Sequence, residues 1–202
     1  MNWQSLWQSL NLIPPTNLLA ELQTAYAQPQ RFYHNQQHLQ ECLTLLNDVK
    51  HLAQQPQHIA LALYFHDAVY DPQAHDNEAQ SAAWAAHVLK SSGASLVLIA
   101  RIKQLIMATQ HHVVDGDDND AKLLLDIDLA ILGQDSARFS EYEQQIKQEY
   151  TWAADEAFKQ GRGQVLTSFL QREWIYQSEY FRSRLEQQAR LNIQAALASL
   201  AN

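Results

Sequence analysis

Five glycines and five prolines are all that punctuate this chain of 202 residues, so sharp turns are scarce and long stretches must hold one regular structure. Alternating apolar–polar runs are nearly absent, whereas apolar residues recur at helical spacing throughout. The pattern predicts an all-α fold. A short amphipathic opening stops at Pro14-Pro15, and Thr16 is placed to cap a helix carrying Leu18, Leu19, Leu22, Ala25 and Tyr26 on one face. A second helix is expected over about residues 36–53, with Leu39, Cys42, Leu46, Val49 and Leu52 or Ala53 inward. After Pro56 an apolar run extends from Ile59 to Phe65 and stops at His66-Asp67. Helical spacing returns over about 77–90, 95–110 and 120–132, with Asp115 to Asp120 as a solvated acidic loop. Beyond Gly133 it covers Phe139 to Tyr150, Gln164 to Arg172, and Gln177 to about Leu200. With 47% hydrophobic residues, no repeat and no flexible linker, one packed domain is expected.

Charge narrows the classes of partner. The chain carries 22 acidic and 14 basic residues, a formal net charge of −8, which argues against a non-specific nucleic-acid or anionic-membrane binder. A small phosphorylated substrate stays open, because a metal or a few local cations outweigh a negative average. The single cysteine, Cys42, excludes an intramolecular disulfide framework and points to a reducing cytoplasm. The opening Met1 to Leu12 lacks a basic segment and a long apolar core, so no signal peptide is expected, and no apolar run is long enough for a membrane span.

All nine histidines fall between His34 and His112. Neutral imidazole is the commonest transition-metal ligand, so this clustering directs attention to metal chemistry. His51 and His58 flank a polar turn, His75 sits in a polar loop, and His87 lies mid-helix among alanines, where a partly buried structural role is expected. The remaining constellation is sharper: Tyr33-His34-Asn35-x-x-His38, then His66-Asp67, then Asp126-x-Asp128. His34 and His38 at i, i+4 would share one helix face. His66-Asp67 directly follows an apolar run, and burying a carboxylate there is costly unless a cation or strong hydrogen bonds compensate. Asp126 and Asp128 interrupt another apolar run about 200° apart around a helix, so one faces inward and the other caps, pairs or meets solvent.

The order His38, His66-Asp67, Asp128 resembles the HD superfamily of metal-dependent phosphohydrolases, and more narrowly its bacterial branch of predicted phosphohydrolases. The likeness covers most of the chain: Arg31 to Asn35 with His38, Phe65 to Pro72, Asp76-Asn-Glu78 with Ser81, and Asp126 to Gly133. It continues through Gly161-Arg162, Val165-Leu166, Phe169-Leu170, Ile175-Tyr176 and Glu186 to Asn192. It implies a helical HD-like bundle over residues 1–202, with a metal-site core at about 31–133 and a C-terminal helical extension at about 134–202 packed on that core. It implies metal ligation by His38, His66, Asp67 and Asp128, the last chosen over Asp126 because a Leu-Ala helical continuation follows it. The Tyr-His-Asn-x-x-His element is also similar to that of cyclic-nucleotide phosphodiesterases, which points to His34 as general acid.

The implied reaction is hydrolysis of a phosphomonoester or phosphodiester, a nucleotide or another small phosphoester, by water activated on one or two divalent ions. A mixed His/carboxylate set suits Mn, Fe, Ni, Co, Zn or Mg. Glu78 is suited to position water or a hydrated metal, and equally to stabilise a helix N-terminus. Arg31 is a candidate phosphate contact, or a structural ion pair. His111 and His112, at the end of an apolar helix, are candidates for a second metal or for phosphate. Arg162, beside two glycines, is a candidate substrate contact among C-terminal residues, Tyr176 and Arg190 included, that otherwise read as packing. Apolar faces on the terminal helices suit a homodimer interface or core cover. Two other classes stay open: a binuclear-iron HD-type oxygenase, and a non-catalytic nucleotide- or metal-sensing module.

Overall fold

The computed structural model describes residues 2–114 and 116–201. Among them the chain forms ten α-helices and no strand, which is the all-α architecture that the spacing predicts. The helices are α1 Trp3–Ser9, α2 Leu18–Tyr26, α3 Gln36–Val49, α4 Pro56–Phe65, α5 Asn77–Ser91, α6 Leu96–Ala108, α7 Asn119–Asp128, α8 Ser136–Glu149, α9 Asp155–Leu170 and α10 Glu179–Leu200. Two 3-10 segments, Lys50–Leu52 and Leu129–Gly133, extend α3 and α7. By contact density the chain divides between Ile127 and Asp128 into two compact units, at the last residue of α7. No described helix is long and apolar enough to cross a membrane.

In the first unit α4 is the central element. Pro56 starts it, where a missing N–H costs nothing and φ is already helical. Ile59, Ala60, Leu61, Ala62, Leu63 and Phe65 are all essentially inaccessible, so the helix is apolar around its whole circumference and is enclosed by α1, α3, α5 and α6. Full burial of each large side chain contributes about 1.5–3 kcal/mol, which anchors whatever polar group follows Phe65. Aromatic edges close the packing: Trp3 meets Tyr64 at 4.8 Å and Phe65 meets Trp84 at 5.9 Å between ring centroids.

The start of α4 is held by a residue expected to be solvated. Asp120 is buried in the first turn of α7, where its carboxylate accepts hydrogen bonds from the backbone N–H groups of Gln54 (2.7 Å) and Gln55 (2.8 Å). These donors precede α4 and have no helical partner, so the charge is compensated and the loop satisfied together. Asp117 and Asp118 pair with Lys122 and Arg101, while Asp115 of the expected acidic loop lies outside the described residues. Asn17, not Thr16, is the N-cap of α2, and its side chain makes no capping bond.

The second unit is tied by buried polar bonds. Asn192 of α10 donates to the carbonyls of Leu132 (2.9 Å) and Gln134 (2.8 Å), and the Tyr176 hydroxyl donates to Leu129 O (3.2 Å). Glu186 accepts from the backbone of Ile175 and Tyr176 and is gripped by Arg190, whose other nitrogens donate to the carbonyls of Leu170, Arg172 and Glu173. Arg162 pairs with Glu143 and covers the Tyr142 ring at 5.0 Å. Thus Arg162, Tyr176 and Arg190 serve as struts within this unit. Helix α9 begins nine residues before the expected Gln164, running straight through Gly161 and Gly163.

Candidate metal centre

Asn35 begins one wall of the site. Its Oδ1 caps α3 by accepting from Gln37 N (2.8 Å) and His38 N (3.4 Å), which sets His38 in the first turn with its ring buried. Because Asn35 is the cap, His34 stands outside the helix, in the preceding turn. The helix thus starts at Gln36, as the expected bound of about 36 has it, so the i, i+4 pair His34 and His38 does not share a helix face, and their ring centroids are 6.1 Å apart.

His66 and Asp67 form the other wall, immediately past the C-terminus of α4. His66 is 1% exposed, and its Nδ1 lies 2.8 Å from the Leu63 carbonyl. A carbonyl only accepts, so Nδ1 carries a proton, and in the neutral ring, the form that binds a metal, Nε2 presents a lone pair. That Nε2 is 3.2 Å from His38 Nε2 and 3.1 Å from Asp67 Oδ2, and His38 Nε2 is 3.6 Å from the same carboxylate oxygen. Two donors each about 2.0–2.2 Å from a common ion, at angles of roughly 90–120°, stand about 2.9–3.6 Å apart. All three separations fit, so His38, His66 and Asp67 form a group able to hold a metal ion. The His66-to-carbonyl bond is the outer contact that orients a ligating imidazole.

Electrostatics agree with this convergence. In the metal-free protein burial opposes ionisation of Asp67, but the charge and hydrogen bond of a protonated His66, with His34 and His38 beyond, outweigh it and hold the carboxyl well below the usual range. The Tyr26 hydroxyl, raised by burial and then by Asp67, accepts the Asp67 backbone N–H at 3.3 Å.

Arg31 is buried beneath the site. Its guanidinium donates to the carbonyls of His34 (3.0 Å), Asp67 (2.5 Å) and Ala68 (3.1 Å), and its Nε to Gln28 Oε1 (3.0 Å). It also lies 5.3 Å and 5.4 Å from the ring centroids of Tyr26 and Tyr70. These contacts make it a brace between the two walls. The loop after Asp67 is pinned to α5: Ser81 Oγ accepts Val69 N (3.0 Å), and Asn77 exchanges bonds with Asp71 N (3.0 Å) and O (2.8 Å).

The other candidates are more dispersed. Glu78 is half-buried in the first turn of α5. His111 is exposed and His112 half-buried in the turn after α6, the latter with φ +50°, and neither joins a close-set ligand group among the described residues. Asp126 is fully buried in α7, whereas Asp128 is half-buried at its end. Within its own unit Asp128 acts on Tyr142, whose hydroxyl is pushed up by burial, with Arg162 opposing and Glu143 and Asp128 adding. His87 is exposed rather than partly buried.

Sequence reasoning assigned no site role to Cys42 or Tyr70. Cys42 Sγ lies 3.8 Å from both ring nitrogens of His38, and the signal was present as the i, i+4 spacing on α3. Tyr70 stacks on the His34 ring at 4.2 Å, a contact across 36 residues that no local pattern announces. No family model, curated protein or solved structure matches the chain.

Proposed function

We propose that the chain is a metal-dependent phosphohydrolase acting on a nucleotide or other small phosphoester. The observation that carries the metal half of this reading is the convergence of His38 Nε2, His66 Nε2 and Asp67 Oδ2 within 3.1–3.6 Å. The HD-like order of the motifs supports the phosphoester half and adds Asp128 as a fourth ligand. A divalent ion held by these residues supplies Lewis acidity towards a bound water and the phosphoryl oxygens.

The chain's own groups do the rest. His66 is oriented through Leu63, and Asp67 is kept ionised, so the carboxylate donor needs no deprotonation at neutral pH. Arg31 locks the backbone of His34 to that of Asp67 and Ala68, so acid and ligands keep their spacing. Glu78 orients the attacking water. As the water oxygen bonds to phosphorus and the ester P–O bond breaks, His34 gives its proton to the departing oxygen, and the proton shed by water leaves to solvent.

The test is calorimetric titration of stripped protein with Mn, Fe, Ni, Co, Zn and Mg, on wild type, Asp67→Ala and Asp128→Ala. Hydrolysis of p-nitrophenyl phosphate and of its bis ester follows. Binding and turnover in wild type, both lost in folded Asp67→Ala, are expected. Absence of binding to folded wild type, or binding without hydrolysis of any phosphoester offered, overturns the proposal.

A further inference from the structure

His34 has no regular element to hold its ring. It stands half-buried in the turn before α3, and a general acid works only if its nitrogen stays within about 0.5 Å of the productive position. The ring is nevertheless fixed from two sides. Tyr33 meets it edge-on at 5.0 Å with an interplanar angle of 82°, and Tyr70 stacks on it at 4.2 Å with an angle of 25°. We propose that Tyr70 is the positioning residue for His34, holding the imidazole so that its proton reaches the leaving oxygen; this rests on the hydrolase reading above.

Tyr70 is suited to the task because its own backbone is bracketed. Val69 before it is bonded to Ser81 and Asp71 after it to Asn77, both on α5, so the tyrosine is offered from a clamped segment of an otherwise irregular loop. That segment follows Asp67 directly, and so ties the position of the acid to the metal ligands through a few residues. An offset aromatic stack contributes about 0.5–1.5 kcal/mol, enough to favour one ring orientation about 2- to 12-fold over a free rotor. The face of the ring makes the stack, and phenylalanine keeps that face.

The experiment uses the full chain with Tyr70→Phe, Tyr70→Leu, His34→Asn and the double variant Tyr70→Leu/His34→Asn. In metal-free protein carrying ¹³C-labelled histidine, the His34 ring protons should be shifted upfield in wild type and Tyr70→Phe. They should move downfield in Tyr70→Leu. With metal, Tyr70→Leu should lower kcat about 10-fold on an alkyl phosphate, whose leaving group needs the proton. It should do little on p-nitrophenyl phosphate, whose leaving group does not. KM and metal affinity should hold. On the His34→Asn background the tyrosine change should cost nothing further.

An unshifted His34 resonance in wild type overturns the proposal, as does equal loss on both substrates or full additivity in the double variant. Failure of wild type to hydrolyse anything sinks the hydrolase reading instead, while the resonance still reports whether the stack exists.

Discussion

Gly133 closes the 3-10 segment at the start of the second unit, and a methyl group there has nowhere to go. A Cβ on its backbone would lie 2.6 Å from Leu185 Cβ, 2.8 Å from the Tyr176 hydroxyl oxygen and 2.9 Å from Leu185 O. Carbon contacts settle near 3.5–4.0 Å, so something must retreat by about 1 Å. The tyrosine tip can swing, but Leu185 Cβ and O belong to the body of α10. Overpacking of this kind costs about 1–3 kcal/mol. Displacing Tyr176 from Leu129 O adds about 1–2 kcal/mol, and the lost backbone freedom of glycine returns about 0.5–1 kcal/mol. Gly133→Ala should therefore destabilise by roughly 1–4.5 kcal/mol, a fall in Tm of roughly 2–18 °C for a chain of this size. The internal control has the opposite sign. Gly161 and Gly163 sit inside α9 with nothing within 4 Å of an added Cβ, so alanine at either should stabilise by about 0.5–1 kcal/mol. Urea titration of the three variants, with m-values compared, is the assay. A Gly133→Ala loss below about 1 kcal/mol, or a loss at Gly161 or Gly163 as large as at Gly133, refutes the reasoning.

Asp120→Ala strands two backbone N–H groups ahead of α4 and should cost about 2–4 kcal/mol by urea titration, while Asp117→Ala, whose carboxylate is solvent-exposed, should cost almost nothing. For metal-free protein the sign of the Asp67 effect is set by its folded carboxyl lying below the unfolded value of about 3.9. Its contribution is present above that pH and is lost as pH falls through the folded value. The stability gap between wild type and Asp67→Asn should accordingly shrink below pH about 4, and a gap that widens there contradicts the assignment.

What was legible in the sequence follows from range. Scarce glycine and proline with helical spacing announce helices, and an ionisable pair directly after an apolar run announces His66-Asp67, because both signals are local. The misreadings arose where a local signal was outvoted. The helix expected from Gln164 leaves Gly161-Arg162-Gly163 outside it, yet α9 runs through them because Phe158, Leu166 and Phe169 bury one stripe across that stretch. Asp120 reads as solvated, since nothing nearby in sequence reveals the unsatisfied amides of Gln54 and Gln55. The i, i+4 spacing of His34 and His38 taken alone suggests one helix face, although the helix expected from about residue 36 already leaves His34 outside, where Asn35 as cap puts it. Arg31, Ser81 and Asn77 were visible as motif residues, but their work as brace and anchors depends on partners brought near only by folding.

The two anchors on α5 also divide the loop after α4 into parts with different freedoms. Up to Asp71 the backbone is bonded on both sides of Tyr70; from Pro72 to Asp76 it forms a largely exposed turn whose bonds lead back to Asp71, on to Gln80 of α5, and from Gln110 to the His75 carbonyl at 3.4 Å. Chain inserted between Gln73 and His75 would thus lengthen a closed arc whose ends stay at Asp71 and Asn77. Each doubling of such an arc costs only about 0.6 kcal/mol. The segment bearing Asp67 and Tyr70 would not register the change, which makes this turn a place where a tag, a reporter or an evolved appendage can be carried a few residues from the metal ligands without disturbing them.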